Sequence, residues 1–321
     1  MASQDPTPIA EHEPFPADST VSASEGSRPD HIKGIARRGG MAKLTPTLRA
    51  LALASQTAYA VAPQLTTRYV MRHFMRPRRK PGYDYRAQLP TGAERLQLPY
   101  RGLKLTGWRW GDGGPSLLLV HGWEDHSGSM LGFVEPLLGL GYRVYAFDAL
   151  GHGLSPRVPT HLLDFSLAVE AIKRAHGPFE SVVAHSFGAA ATCLSLARAP
   201  ELRPQKMTLI SPMQGIDQHL DVFRDIALLS SERAERLRRM LADQLGMPTE
   251  QICALRAIRD LDIPGLVIHD RHDRVIPHDG GERFAREWRG ARFISTQRLG
   301  HRRVLRCPNV LEEVLSHHRP A

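Results

Sequence analysis

The chain has 321 residues, 42% of them apolar and 23% charged, with 24 prolines, 27 glycines and three cysteines; collagen-like, coiled-coil and wholly disordered classes fit none of these figures. Its formal charge of +9 would suit a polyanion-binding protein if it were evenly spread. Residues 1–30 instead carry six acids and one base, residues 31–80 eleven bases and no acid, and the remaining 241 residues only +3.

Residues 1–40 are rich in Pro, Ser, Glu, Asp and Gly without apolar periodicity, and are read as a disordered extension that cannot bury enough surface to offset its ordering entropy. Met1 is followed by acids and prolines rather than by the basic and apolar regions of a secretory signal. Met41 is an alternative start. The chain beyond it, through Leu51–Ala54 and Ala58–Ala60, has a faint signal-like pattern, short and interrupted by Arg49, Gln56 and Tyr59. No run of 18 apolar residues occurs, so a spanning helix is not expected. From Thr45 to Met75 apolar residues recur at helical spacing, with Pro63 dividing two stretches and Arg76-Pro77-Arg78-Arg79-Lys80 closing the segment. Residues 41–80 are thus a basic helical arm. It either lies on an anionic membrane surface or packs on the globular domain with its bases solvated. It lacks the aromatic ladder and recognition motif that nucleic acid would require. Cys193, Cys253 and Cys307 are odd in number and form no Cys-x-x-Cys pair, so neither a disulfide framework nor a zinc knuckle is expected. A reducing, cytoplasmic setting follows, membrane-peripheral if the arm binds lipid.

After Pro81 the pattern changes to strands. Leu96–Tyr100 and Leu103–Trp110 alternate about an Arg-Gly turn and predict an antiparallel hairpin. Short, nearly unbroken apolar runs follow at Ser116–Val120, Arg143–Phe147, Ser181–Ala184, Met207–Ile210, Leu266–Ile268 and Arg292–Ser295, as expected of strands covered on both faces. Helical stretches at about 163–175, 187–199 and 310–318 separate them, which predicts an α/β domain over 81–321 with a mostly parallel sheet. The long interval between Ser211 and Pro264 is charged and helical, at Ser231–Leu245 closed by Gly246 and then Thr249–Ile258. It predicts a lid over about 213–260.

The most informative stretch is Ala184-His185-Ser186-Phe187-Gly188, where a strand ends and a helix begins at once. A serine at so tight a turn needs small residues two positions before and after it, and is the context of a nucleophile elbow. The turn places the Phe187 amide at a helix N-terminus, ready to donate to an oxyanion. Leu117–Val120 leads into His121-Gly122-Trp123, where the Trp123 amide is the candidate second donor and His121 serves to tie down the loop. The orienting acid should follow the serine, and His269-Asp270-Arg271-His272-Asp273 offers two. Asp273, deeper in the loop, is preferred over Asp270. His301, after Gly300 and before the terminal helix, is the candidate base; His317 and His318 are read as solvent-facing.

On these residues, and on Asp148-Ala149-Leu150-Gly151-His152-Gly153-Leu154-Ser155, the chain resembles the α/β-hydrolase-fold serine hydrolases from about Leu96 to its C-terminus. The resemblance implies Ser186 as nucleophile, His301 as general base and then acid, Asp273 holding its tautomer, and an oxyanion hole of Trp123 and Phe187. It implies a small-molecule acyl substrate and neither metal nor organic cofactor. A serine at the elbow argues against the members that cleave carbon–halogen bonds or epoxides, which use aspartate there. Carboxylic ester, thioester, amide and carbon–carbon bond cleavage stay open, as do acyl transfer and a non-catalytic binding module. The sixteen histidines include no His-Glu-x-x-His run.

Overall fold

The computed structural model describes residues 57–79 and 84–320. The expected disordered extension, Met41 and the first part of the basic arm lie outside them. Eight strands form one sheet: β1 (Glu94–Tyr100), β2 (Leu103–Trp110), β3 (Ser116–Val120), β4 (Arg143–Phe147), β5 (Ser181–His185), β6 (Lys206–Ile210), β7 (Gly265–Asp270) and β8 (Ala291–Thr296). Their order is β1-β2-β4-β3-β5-β6-β7-β8, with β2 antiparallel to both β1 and β4 and the other pairs parallel. Arg101 and Gly102, at φ 50° and 75°, make the hairpin turn, whose positive dihedrals match the right-handed twist of the flanking strands.

The unbroken apolar runs have a physical reason in the two cores they feed. Leu118, Val120, Val182, Ala184, Leu209 and Val267 point to one face of the sheet. Leu117, Leu119, Val144, Val183, Leu266 and Ile268 point to the other. The first face is covered by α3 (Leu162–His176), α4 (Phe187–Arg198), α7 (Ala254–Arg259) and α8 (His278–Glu287), the second by α2 (Val134–Gly139) and α10 (Pro308–His318). A short helix α9 (Gly300–Arg303) precedes α10. Burying both faces of five parallel strands removes most of their apolar surface from water, at about 25 cal/mol per Å².

Between β6 and β7 rise α5 (Ile216–Ala227) and α6 (Ser231–Leu245). The Ser230 hydroxyl caps α6 by accepting from the Arg233 amide, and Gly246 at φ 68° ends it. Two details correct the expected lid. Thr249–Ile258 is not one helix: Thr249–Gln251 is a single 3-10 turn, Ile252 leaves the helical region, Cys253 is extended, and α7 starts at Ala254. The cause is pairing across the base of the insertion, where Ile216 N donates to Ile252 O (3.2 Å) and Ala254 N to Gln214 O (2.7 Å). The cap therefore closes at Gly215 and Cys253, and α7 beyond it packs on α4 and α8 rather than over the site.

The end of the arm is built into this body. Pro63 opens α1 (Pro63–Phe74), a position where its missing N–H costs nothing. Met71, Phe74 and Met75 are buried. The Phe74 ring lies 5.3 Å from Phe223 and 4.7 Å from His219 of the cap, and Arg233 of α6 stacks over Tyr59 at 4.4 Å. Beyond α1, Arg79 donates to the carbonyls of Gly151, His152 and Ser155, and Arg78 grips the Glu124 carboxylate. Among the described residues no helix is long and apolar enough to cross a membrane.

Candidate active site

The loops that follow β3, β4, β5 and β7 meet at the carboxyl edge of the parallel strands, where open α/β sheets form their binding crevice. Ser186 stands between β5 and α4 at φ 53°, ψ −116°, a strained conformation for a residue with a side chain. Its amide donates to Ile210 O (2.9 Å) and its carbonyl accepts from the Met213 amide (3.2 Å), so the strain is held from the neighbouring strand. Gly188 explains the elbow's second small residue: a Cβ there would overlap the His121 carbonyl oxygen. Gly122 plays the reciprocal part, since a Cβ on it would stand 3.2 Å from the Ser186 Cβ.

His301 reaches the serine from the far end of the sheet, with Nε2 2.9 Å from Ser186 Oγ and Nδ1 2.7 Å from Asp273 Oδ2. An ionised carboxylate only accepts, so Nδ1 carries the ring proton and Nε2 accepts from the serine hydroxyl. Asp273 is buried in the loop after β7, and its Oδ1 also accepts from the amides of Val275 (2.8 Å) and Ile276 (3.0 Å). Burial acts to raise its pKa. Hydrogen bonds from His269, His301 and the Ile276 amide outweigh that and hold the carboxyl well below the usual range.

Asp270 has a different task. Its Oδ1 accepts from the amides of His272 and Gly300 (both 2.9 Å), and its Oδ2 from the Leu299 amide (3.1 Å) and the Thr296 hydroxyl (2.9 Å). It fastens the loop that presents His301. His121 is buried, with Nε2 accepting from the Ala149 amide and Nδ1–H donating to Gly122 O, so it anchors the loop bearing Trp123. The Trp123 and Phe187 rings pack 4.9 Å apart. Phe187 is the first residue of α4, so its N–H has no intrahelical acceptor. In the turn after β4, Asp148 accepts from Tyr85 (2.6 Å), from the amide and hydroxyl of Ser127 (both 2.8 Å) and from the Leu154 amide (2.7 Å), a structural knot beside the site.

The sequence model of the family described as serine aminopeptidase, S33, matches residues 115–253. A pimeloyl-[acyl-carrier protein] methyl ester esterase of Methylococcus capsulatus is 30% identical over 214 residues, which cover 54% of this chain and 82% of that protein. The chain belongs to the α/β-hydrolase-fold serine hydrolases. A human serine hydrolase-like protein is 33% identical to this hydrolase over 113 residues, 32% of this chain and 54% of that one. A solved esterase of Pyrococcus furiosus superposes with a TM-score of 0.57 at 20% identity, covering 75% of this chain and 95% of its own. A membrane phospholipase A, a bacterial virulence factor, does so with a TM-score of 0.55 at 18% identity, covering 84% and 96%. At these identities the structural likeness speaks for a shared fold. The hydrolase is an enzyme of the esterase type.

Three histidines around the site of this hydrolase carry no motif that sequence reasoning could use. His185 donates from Nε2 to the His301 carbonyl (2.9 Å), and burial, then the neighbouring His301, push its pKa down to about 3. It is a neutral clamp on the backbone of His301. His269 points Nε2 at Ile276 O (3.1 Å) and lies 3.4 Å from Asp273 Oδ2, which holds the acid loop in place. His219 descends from α5 onto the rings of Trp123 (4.6 Å) and Phe187 (4.9 Å), and burial pushes it to about 3. His219 thus closes the cap over the two residues expected to supply the oxyanion donors. His318, read from sequence as solvent-facing, is buried, with Nε2 2.9 Å from the Thr208 hydroxyl, because α10 turns its last residues onto the sheet.

Proposed function

We propose that this hydrolase cleaves a carboxylic ester of a small or medium acyl group through an acyl-enzyme on Ser186. The unbroken chain of hydrogen bonds from Ser186 through His301 to Asp273 is the observation that carries the reading. His301 Nε2 takes the hydroxyl proton as Oγ attacks the ester carbonyl, and Asp273 stays ionised beside the imidazolium that forms. The N–H groups of Trp123 and Phe187 donate to the new oxyanion, each worth about 10²–10³ in rate by analogy with such donors elsewhere. His301 then protonates the departing alcohol, deprotonates a water that attacks the acyl carbon, and returns the proton to Ser186 as the acid leaves. The named ester-cleaving activity of the Methylococcus relative favours an ester over an amide, thioester or carbon–carbon bond.

Incubated with a fluorophosphonate probe, the full chain is expected to take up one label at Ser186, and Ser186→Ala none. Equal labelling of the variant, or an active wild type that stays unlabelled, overturns the assignment.

A second part of the proposal is that the arm touches an anionic membrane. Val61, Leu65 and Tyr69 are 79%, 66% and 63% exposed, and Arg68, Arg72 and Arg76 are exposed beside them. Ile226 and Leu228 add apolar surface at the outer end of α5. An exposed apolar stripe with a basic border suits an interface of anionic headgroups. Because α1 also buries Met71 and Phe74, the test uses surface variants rather than truncation. The wild type is expected to float with phosphatidylserine vesicles, and Val61→Ser/Leu65→Ser/Tyr69→Ser to remain at the bottom. Equal flotation of the two proteins rules out this role for the arm.

A further inference from the structure

A cleft of about 630 Å³ lies beside the candidate active site and takes no part in the scheme above. Its walls are the residues after Trp123 (Glu124–Ser129), the turn after β4 (His152–Leu154 and Arg157), the end of the arm, and the segment directly after His301. Six arginines line it: Arg78, Arg79, Arg157, Arg302, Arg303 and Arg306. Among the described residues that line it, two carry carboxylates, Glu124 and Asp125.

The six divide by what they already hold. Arg78 is bound to Glu124, Arg79 to three backbone carbonyls, and Arg303 to the carbonyls of Leu299 and Arg298. Among the described residues, Arg157, Arg302 and Arg306 make no ion pair or side-chain hydrogen bond, and all three are exposed at the rim. Residues 80–83, which connect the arm to the domain, contain no acid that could pair with them. Six guanidinium groups against two carboxylates leave the concavity net positive, and a cleft lined by one sign of charge focuses its field and concentrates anions. Burial, and after it the charge of Arg157, already depress the pKa of Arg79. Planar guanidinium groups with free donors match the oxygens of a phosphate or carboxylate.

We propose that this cleft binds a phosphate- or carboxylate-bearing ligand, with Arg157, Arg302 and Arg306 supplying the free donors. Its walls border the candidate site: Glu124 follows Trp123, Arg302 follows His301, and the His152 ring is 5.0 Å from Trp123. The anion is therefore either a remote part of the ester substrate or a separate ligand. The first case rests on the hydrolase reading above, and the second does not.

Pyrophosphate serves as the binding probe, with thermal unfolding of the full chain followed at matched ionic strength so that general screening is cancelled. It is expected to raise the melting temperature of the wild type saturably. Arg157→Gln/Arg306→Gln, two exposed changes outside the proposed catalytic groups, should weaken that binding at least about tenfold. Arg95→Gln/Arg289→Gln, the same charge change on other elements, should leave it unchanged. Esters with the same acyl group and either a phosphorylated or a neutral alcohol then separate the two sources. A rise in KM of about tenfold for the phosphorylated ester alone, at constant kcat, assigns the cleft to the substrate; unchanged KM with weakened pyrophosphate binding assigns it to a separate anion. No pyrophosphate-dependent shift in the wild type, or equal weakening in the control pair, overturns the site. Loss of Ser186 labelling would sink the hydrolase scheme while leaving the binding result standing.

Discussion

Asp273→Asn is expected to lower kcat for ester hydrolysis by up to about 10⁴-fold, with KM changed little. The amide would remove the charge that stabilises the imidazolium, and its NH₂ facing His301 would favour the tautomer that cannot accept from Ser186. Asp270→Asn should behave differently. Both of its carboxylate oxygens accept from donors, so one of the amides of His272, Gly300 and Leu299 or the Thr296 hydroxyl would face an NH₂ group. Losing those bonds should cost about 1–3 kcal/mol of stability, with turnover at low temperature staying within about tenfold of wild type. Steady-state kinetics and melting curves of the two variants, read together, check the assignment. Loss of kcat in Asp270→Asn with retention in Asp273→Asn would transfer the role of orienting acid.

Gly188→Ala should unseat the site by a purely steric route. Gly188 lies in α4, where alanine has the better intrinsic propensity by about 1 kcal/mol. The new Cβ, however, would overlap the His121 carbonyl oxygen and stand 2.9 Å from Val120 Cγ1. Backbone cannot yield as a flexible side-chain tip does, so α4 must move off β3 and carry Ser186 and Phe187 with it. The overpacking term wins, and a net loss of roughly 3 kcal/mol or more is expected, with activity reduced at least about 10²-fold. Gly139 of α2 provides the control, because nothing lies within 4 Å of its missing Cβ. Gly139→Ala should be neutral or stabilise by up to about 1 kcal/mol. Equal melting temperatures for the two variants would refute the steric account of Gly188.

How far each element was legible follows from what holds it. The strands β3 to β7 and the helix α6 could be read within a residue or two, since their burial pattern and caps are local properties of the chain. Helix α8 was not among the predicted helices, and two glycines in its first turns, Gly280 and Gly281, weaken the helical pattern there. Gly281 is there for close approach: a Cβ would meet His269 Nδ1 at 2.6 Å. The far boundary of the cap was also hidden. Ile252 and Cys253 have helical neighbours in sequence and are drawn out of the helix by the strand-like pairing of Cys253 with Gly215. The arm illustrates the same limit, as periodicity marks a buried stripe on α1 without saying what covers it.

The amino-acid pattern by itself determined the sheet and the strand-turn-helix at Ser186, because tight turns restrict residue type over five or six positions; the expected order of serine, acid and histidine came from the motif. The pattern also located the excess charge in residues 31–80. Only the tertiary structure decided which aspartate faces His301, since Asp270 and Asp273 differ by three residues in sequence, yet the first is taken up by the backbone amides of Leu299 and Gly300 and the second by the His301 ring. The same holds for His185, His219 and His269, and for the cleft that gathers arginines from positions 78 to 306. Contacts between residues so far apart are set by how helices and loops pack on the sheet, and the pattern along a single segment does not contain them.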